Sequence, residues 1–272
     1  MSRRGPVLPD VITWAMVIAL MLPLAWALAA SFTPEQRLFG NALSPGGLVL
    51  DHYRAIFEAR DFWTPIVNSL IVAALTTATA LLLGAPCAYA LVRLPFRGHA
   101  TVLAFVLAVS MFPQIAMVPS LYLLLRELHL LNTYPGLVLP YLTFAMPLAV
   151  WLLSGFFRQF PPDLEDAALL DGASRLRTMR DIVLPLAVPG LVTTGILVFL
   201  SSWNEFLFAL SFTLGPERYT VPVAITLFRG QYQVPWGQVL AAALTATAVV
   251  AVVVLLAQRR IVAGLTSGAV KG

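Results

Sequence analysis

Six apolar runs alternate with short polar stretches along the 272 residues of the chain. A helix needs about 20 predominantly apolar residues to cross a bilayer. The runs that meet this are Val11–Ala30, Pro65–Val92, Ala100–Leu125, Pro135–Phe157, Leu186–Leu210 and Trp236–Ala257. The pattern predicts an all-α polytopic membrane protein with six transmembrane helices in a single domain, residues 1–272, and no sizeable soluble part. Arg3 and Arg4 precede the first run, and Ala27, Ala29 and Ala30 leave a signal-peptide cleavage site conceivable. The run is nevertheless longer than a typical signal core, so it reads as a retained helix.

Between the first two spans, Asp51–Glu58 reads as a short interfacial helix. Tyr53, Phe57, Phe62 and Trp63 around it suit an aromatic belt at the headgroups. The second span is rich in small residues, which let helices approach closely where lipid gives no hydrophobic drive. A bundle core is expected around Ala73, Ala74, Thr76, Thr77, Ala80 and Gly84. Pro113 and Pro119 fall in the third span, Pro140 and Pro147 in the fourth. Interior proline removes a backbone hydrogen bond and kinks a helix. The freed carbonyls must then find protein or water, so this clustering points to a passage through the bundle.

Composition agrees: 59% of residues are hydrophobic and 11% charged, and the mean hydropathy is +0.85. A soluble domain carries about a quarter charged residues. Basic residues set the orientation. Eleven of the 17 fall on the side that holds both termini: Arg3, Arg4, Arg93, Arg97, Arg158, Arg175, Arg177, Arg180, Arg259, Arg260 and Lys271. That side is predicted to be cytoplasmic. The excess of positive charge records this bias and does not suggest a nucleic-acid partner. The single Cys87, inside an apolar run, reads as a packing residue.

Polar residues inside the spans are few. Gln114 stands in the third, and Trp203-Asn204-Glu205-Phe206 in the fifth. An ionised carboxylate in a bilayer is costly unless it faces protein or water, so Glu205 stands out. With Trp203 and Asn204 it could stack on a sugar ring and bond its hydroxyls, or it could join helices; the residues alone leave both open. No ATP-binding Gly-rich loop occurs, and no His or Cys grouping has metal-ligand spacing.

A compact charged island lies at residues 158–185, between spans four and five. Pro161-Pro162 preset a helix start, and Asp163, Glu165 and Asp166 place negative charge in its first turn. Ala167 and Ala168 give a slim face for another protein. Gly172 can end that helix in the left-handed conformation, and Ser174 can cap a second, basic one.

Asp166-Ala167-Ala168, three residues, then Gly172, followed by Leu184-Pro185, resembles the cytoplasmic coupling loop of ABC importer permeases. Asp166 stands where the family usually has Glu, with Glu165 just before it, and Met179 stands where Phe is common. The tail over 258–272, the Trp203–Phe206 block, Tyr219-Thr220-Val221-Pro222 and Gly230-Gln231 are similar to carbohydrate-uptake permeases of the maltose type. That group often has a proline near Val249, which suggests a straighter last helix here.

The resemblance implies the type I importer permease fold and a sugar-import subunit of the inner membrane that is not itself an enzyme. It further implies that Glu165, Asp166, Ala167, Ala168, Asp171 and Gly172 couple to an ABC ATPase dimer, and that Gln114, Trp203, Asn204 and Glu205 border the solute path. Other implied partners are a second homologous permease subunit, a periplasmic or lipid-anchored sugar-binding protein, and membrane lipid. This chain would bind no cofactor; ATP and Mg would sit on the ATPase. A permease for a polyamine or phosphate is the nearest alternative. An ion-coupled carrier is another, although it would show more intramembrane carboxylates and an internal repeat.

Overall fold

The computed structural model describes residues 7–38, 48–94, 98–228 and 234–268, with side chains described except at 7–10 and 258–268. Gly230 and Gln231, and the side chains of the tail over 258–272, lie outside the described residues. In chain order the α-helices are α1 (Val7–Ser31), α2 (Asp51–Arg54), α3 (Trp63–Arg93), α4 (His99–Ser110), α5 (Gln114–Glu127) and α6 (Tyr134–Phe157). There follow α7 (Asp163–Leu170), α8 (Arg175–Thr178), α9 (Leu184–Leu186), α10 (Val188–Trp203), α11 (Leu207–Phe212), α12 (Val221–Thr226) and α13 (Trp236–Gly268). No strand occurs among the described residues.

Among the described residues, four helices are each long and apolar enough to cross a membrane: Val11–Ser31, Trp63–Arg93, Tyr134–Phe157 and Trp236–Ala257. Two sharply bent helix pairs pass the same test of length and apolarity when each is taken together, α4 with α5 at 89° and Arg175–Leu186 with α10 at 77°. Two of the expected spans are therefore not single continuous helices. Ala100–Leu125 is not one helix, because Pro113 biases Phe112 away from helical backbone and itself takes the extended N-cap position of α5. Leu186–Leu210 is likewise broken: α10 stops at Trp203, and α11 starts afresh at Leu207. Pro140 and Pro147 leave α6 continuous, so the prolines mark one break and not a broken pair of middle spans. The last helix runs without interruption from Trp236 to Gly268.

The chain groups into two compact units. The first holds residues 1–63 and 224–248. In it Phe62 is fully buried and meets Phe228 edge-on at 5.7 Å, while the Arg60 guanidinium lies 4.7 Å from the Phe228 ring centre. Phe62 is thus core and not part of an aromatic belt; Trp63 is exposed. The Glu35 carboxylate accepts the N–H groups of Trp236 (2.8 Å) and Gly237 (3.0 Å), capping α13.

The second unit holds residues 64–223 and 249–272. Its centre is a seam of small side chains. Ala73, Thr76, Ala80 and Gly84 are buried on one face of α3, and Ala80 clusters with Ala145 and Ala149 of α6 and Val198 of α10. A Cβ on Gly84 would stand 3.2 Å from that of Ala149. Ala74 points the other way and is exposed, because neighbours on a helix are turned about 100° apart.

Candidate functional site

The charged island folds as two short helices joined by a turn. α7 opens on the carbonyl of Pro162, which accepts the N–H of Glu165 (2.9 Å) and Asp166 (3.0 Å). It closes in a Schellman motif: Ala173 N–H donates to Ala168 C=O (2.9 Å) and Gly172 N–H to Leu169 C=O (3.1 Å). Gly172 sits at φ +84°, the conformation a residue with a Cβ resists. Ser174 then caps α8, its hydroxyl accepting from Arg177 N–H at 3.3 Å.

The turn of α7 sorts its residues onto two faces. Asp163, Leu164, Asp166, Ala167, Leu170, Asp171 and Gly172 are exposed, with Leu170 at 89%. Glu165 and Ala168 are buried. The expected slim Ala-Ala face is therefore split, with Ala167 outward and Ala168 inward.

Glu165 is gripped where it enters. Its Oε1 stands 2.6 Å from Arg93 Nε, and its Oε2 accepts the Tyr89 hydroxyl at 2.9 Å. Arg93 also donates through one terminal nitrogen to the carbonyls of Phe157 (3.0 Å) and Phe160 (2.8 Å) at the end of α6. The last carbonyls of a helix have no partner within it, so Arg93 serves as the cap of α6. Around this point Tyr89, Leu153, Phe157, Met179 and Val183 form a buried apolar cluster that shields the pair from water. Sequence reasoning used Arg93 only as an orienting charge and passed over Tyr89. The readable signal was their spacing of four at the end of α3, which sets both on one helix face.

A cavity of about 330 Å³ lies in the same unit, lined by Gln114, Tyr141, Phe144, Asn204, Glu205 and Phe206 among others. This is at the small end of ligand sites, about 300–1,000 Å³. The breaks in the bent spans build it: Gln114 begins α5, and Asn204–Phe206 separates α10 from α11. Asn204 and Ser201 are exposed at its edge. Glu205 accepts the N–H of Phe208 (2.8 Å) and Ala209 (3.1 Å), and the Tyr141 hydroxyl faces the same carboxylate. Gln114, Asn204 and Glu205 are thus brought together. Trp203 is not among the lining residues; it is buried and stacks on Phe199 at 6.1 Å.

At the other end of α3, Asn68 donates to the carbonyls of Glu217 and Tyr219, each at 3.0 Å, and accepts from the Tyr134 hydroxyl at 2.7 Å. Asn132, at φ +58°, receives Leu214 N–H at 3.0 Å and donates to the Glu217 carboxylate. That amide holds the Glu217 carboxyl below the usual carboxylate range. These asparagines fix the segment after α11 and were not singled out in the sequence, since their partners lie far along the chain.

A family profile described as binding-protein-dependent transport system inner membrane component matches residues 80–267. The chain is 44% identical to a trehalose transport system permease protein of Mycobacterium tuberculosis, over 95% of this chain and 97% of that one. It is 40% identical to a trehalose/maltose transport system permease protein of Thermococcus litoralis, over 94% of each. A sulfoquinovosyl glycerol transport system permease protein of Agrobacterium fabrum is 37% identical, over 93% of this chain and 89% of that one. Among solved structures, a chain of a bacterial ABC transporter that imports the acidic polysaccharide alginate superposes with a TM-score of 0.73 at 21% identity, over 93% of this chain and 95% of that one. A chain of a methionine ABC transporter in inward-facing form gives 0.61 at 15%, over 76% and 95%. The match over residues 80–267 and the relatives at 37–44% identity make the chain a member of the binding-protein-dependent transport system inner membrane component family.

Proposed function

We propose that this chain is one permease subunit of a sugar importer in the inner membrane. The observation that carries the reading is α7: a helix of eight residues whose exposed face offers Leu164, Ala167 and Leu170 beside Asp166 and Asp171. Leu164, Ala167 and Leu170 form a small apolar stripe rimmed by carboxylates, the pattern of a surface that another protein covers. The partner is an ABC ATPase dimer on the cytoplasmic side, and the basic excess in the sequence supports both termini lying on that side. ATP and Mg belong to that dimer. A second, homologous permease subunit completes the passage, and a solute-binding protein delivers the sugar from outside. Gln114 and Asn204 border the passage on this subunit. Sugar is favoured over a polyamine or phosphate because the relatives at 37–44% identity are named for trehalose, maltose and sulfoquinovosyl glycerol.

The test is purification of the tagged chain from detergent-solubilised native membranes, with every co-purifying chain identified. Recovery of an ATPase, a second six-span permease and a binding protein with sugar bound is the expected result. Failure to recover any ATPase, under conditions that preserve known importers, overturns the reading.

A further inference from the structure

We propose that the Arg93–Glu165 pair is the link through which a load on α7 reaches α3 and α6, which makes Glu165 a positioning residue for coupling and not an ATPase contact. The inference rests on the proposed docking of an ATPase on α7.

Consider what else could carry that load. Helices much shorter than about 12 residues are marginal by themselves, so α7 depends on its attachments. Of its eight residues only Glu165 and Ala168 are buried. Ala168 is a single methyl group, whereas Leu164 and Leu170 point away from the bundle. Besides its chain connections and its packing on the following short helices, α7 is tied into the spanning helices by the Glu165 side chain.

The receiving end is built for transmission. One guanidinium joins three elements: it belongs to α3, binds Glu165 of α7 at 2.6 Å, and holds the carbonyls of Phe157 and Phe160 at the end of α6. Tyr89, one helical turn back on α3, takes the second carboxylate oxygen at 2.9 Å. The carboxylate thus pairs with the guanidinium through one oxygen and accepts the Tyr89 hydrogen bond through the other. The side chains are 12% and 5% exposed, so water does not compete for the contact. A buried ion pair is weak evidence of stabilisation in itself, but it fixes one geometry among alternatives. Here the fixed geometry is the seat of α7 on two spanning helices.

The experiment is performed on the whole complex, purified with its ATPase and binding protein and reconstituted in lipid. The reading is the ratio of ATP hydrolysis with the sugar-loaded binding protein to hydrolysis without it. Glu165→Gln keeps the side-chain shape, leaves the ATPase bound, and lowers the ratio at least tenfold towards one. Tyr89→Phe lowers it about twofold, and Glu165→Asp, which keeps the charge, restores most of the coupling. A wild-type ratio in Glu165→Gln overturns the proposal. So does a loss of co-purified ATPase shared equally by Glu165→Gln and Glu165→Asp, which would make the pair an assembly contact. Absence of ATPase from the wild-type preparation strikes the proposed function itself, whereas full coupling in Glu165→Gln strikes only the link.

Discussion

The Glu205 carboxylate accepts the backbone N–H of Phe208 at 2.8 Å and so caps α11 from just ahead of its first turn. This carboxylate is therefore engaged by a helix start, where the macrodipole favours it. Asn204, its neighbour, is exposed at the cavity edge. The two residues should separate on substitution. Glu205→Ala removes a cap worth about 1 kcal/mol and is expected to lower the melting temperature of the purified complex. Asn204→Ala is expected to change the KM for sugar uptake with the melting temperature unchanged. Equal thermal loss in both variants would return Asn204 to the packing residues.

Gly172, at φ +84° with nothing within 4 Å of a Cβ placed on it, is constrained by its backbone and not by its neighbours. Left-handed backbone costs an ordinary L-residue about 1–2 kcal/mol, and asparagine less. Gly172→Val should therefore open the Schellman turn and abolish coupled uptake, while Gly172→Asn should retain most of it. Uptake assays of the two variants at matched membrane expression check this. If Asn and Val behave alike, bulk at the ATPase contact is the constraint and not backbone conformation.

How much of this could be read beforehand depends on where the cause lies. Gly172, Ser174 and the two-helix island were legible, because capping and left-handed turns are decided by a few adjacent residues. The buried face of α3 was mostly legible for the same reason, since Ala73, Thr76, Ala80 and Gly84 follow the helical repeat. Ala74 was misassigned: small size alone does not say which way a side chain points. The break at Met111–Pro113 had its signal in Pro113, yet Pro140 and Pro147 leave α6 intact, so proline by itself does not decide between a kink and a break. The Arg93–Glu165 contact joins residues on either side of three helices. Nothing local announces such a pairing, and only the fold brings it together.

Glu217 and Asn132 give a pH dependence with a definite sign. The Asn132 amide favours the ionised Glu217 carboxylate and lowers its pKa in the folded state. The contribution is therefore fully present above the ordinary carboxylate range and is lost as pH falls through the lowered value. Asn132 Oδ1 also receives the N–H of Leu214 and Gly215, so loosening Asn132 frees these amides. Their hydrogen exchange, corrected for its intrinsic pH dependence, should accelerate on acidification in the wild type. In Glu217→Gln it should be faster throughout and nearly flat with pH. A wild-type profile that is flat would show that the pair does not restrain the segment.

At Gly190, α10 packs tightly on α6: a Cβ there would lie 2.6 Å from Cγ of Phe156. Cγ is the root of the ring, so the contact cannot be relieved by moving a flexible tip. Gly190→Ala gains about 1 kcal/mol in helix propensity but forces the ring aside, at a typical overpacking cost of about 1–3 kcal/mol. The net effect is destabilising, or at best neutral if the ring yields cheaply. In a Phe156→Ala background the steric term vanishes and only propensity remains, so the same Gly190→Ala change should become stabilising. Thermal unfolding of the four proteins of this cycle, in one detergent, measures the coupling directly. A Gly190→Ala effect of the same sign and size in both backgrounds would mean that α10 and α6 do not meet at this pair.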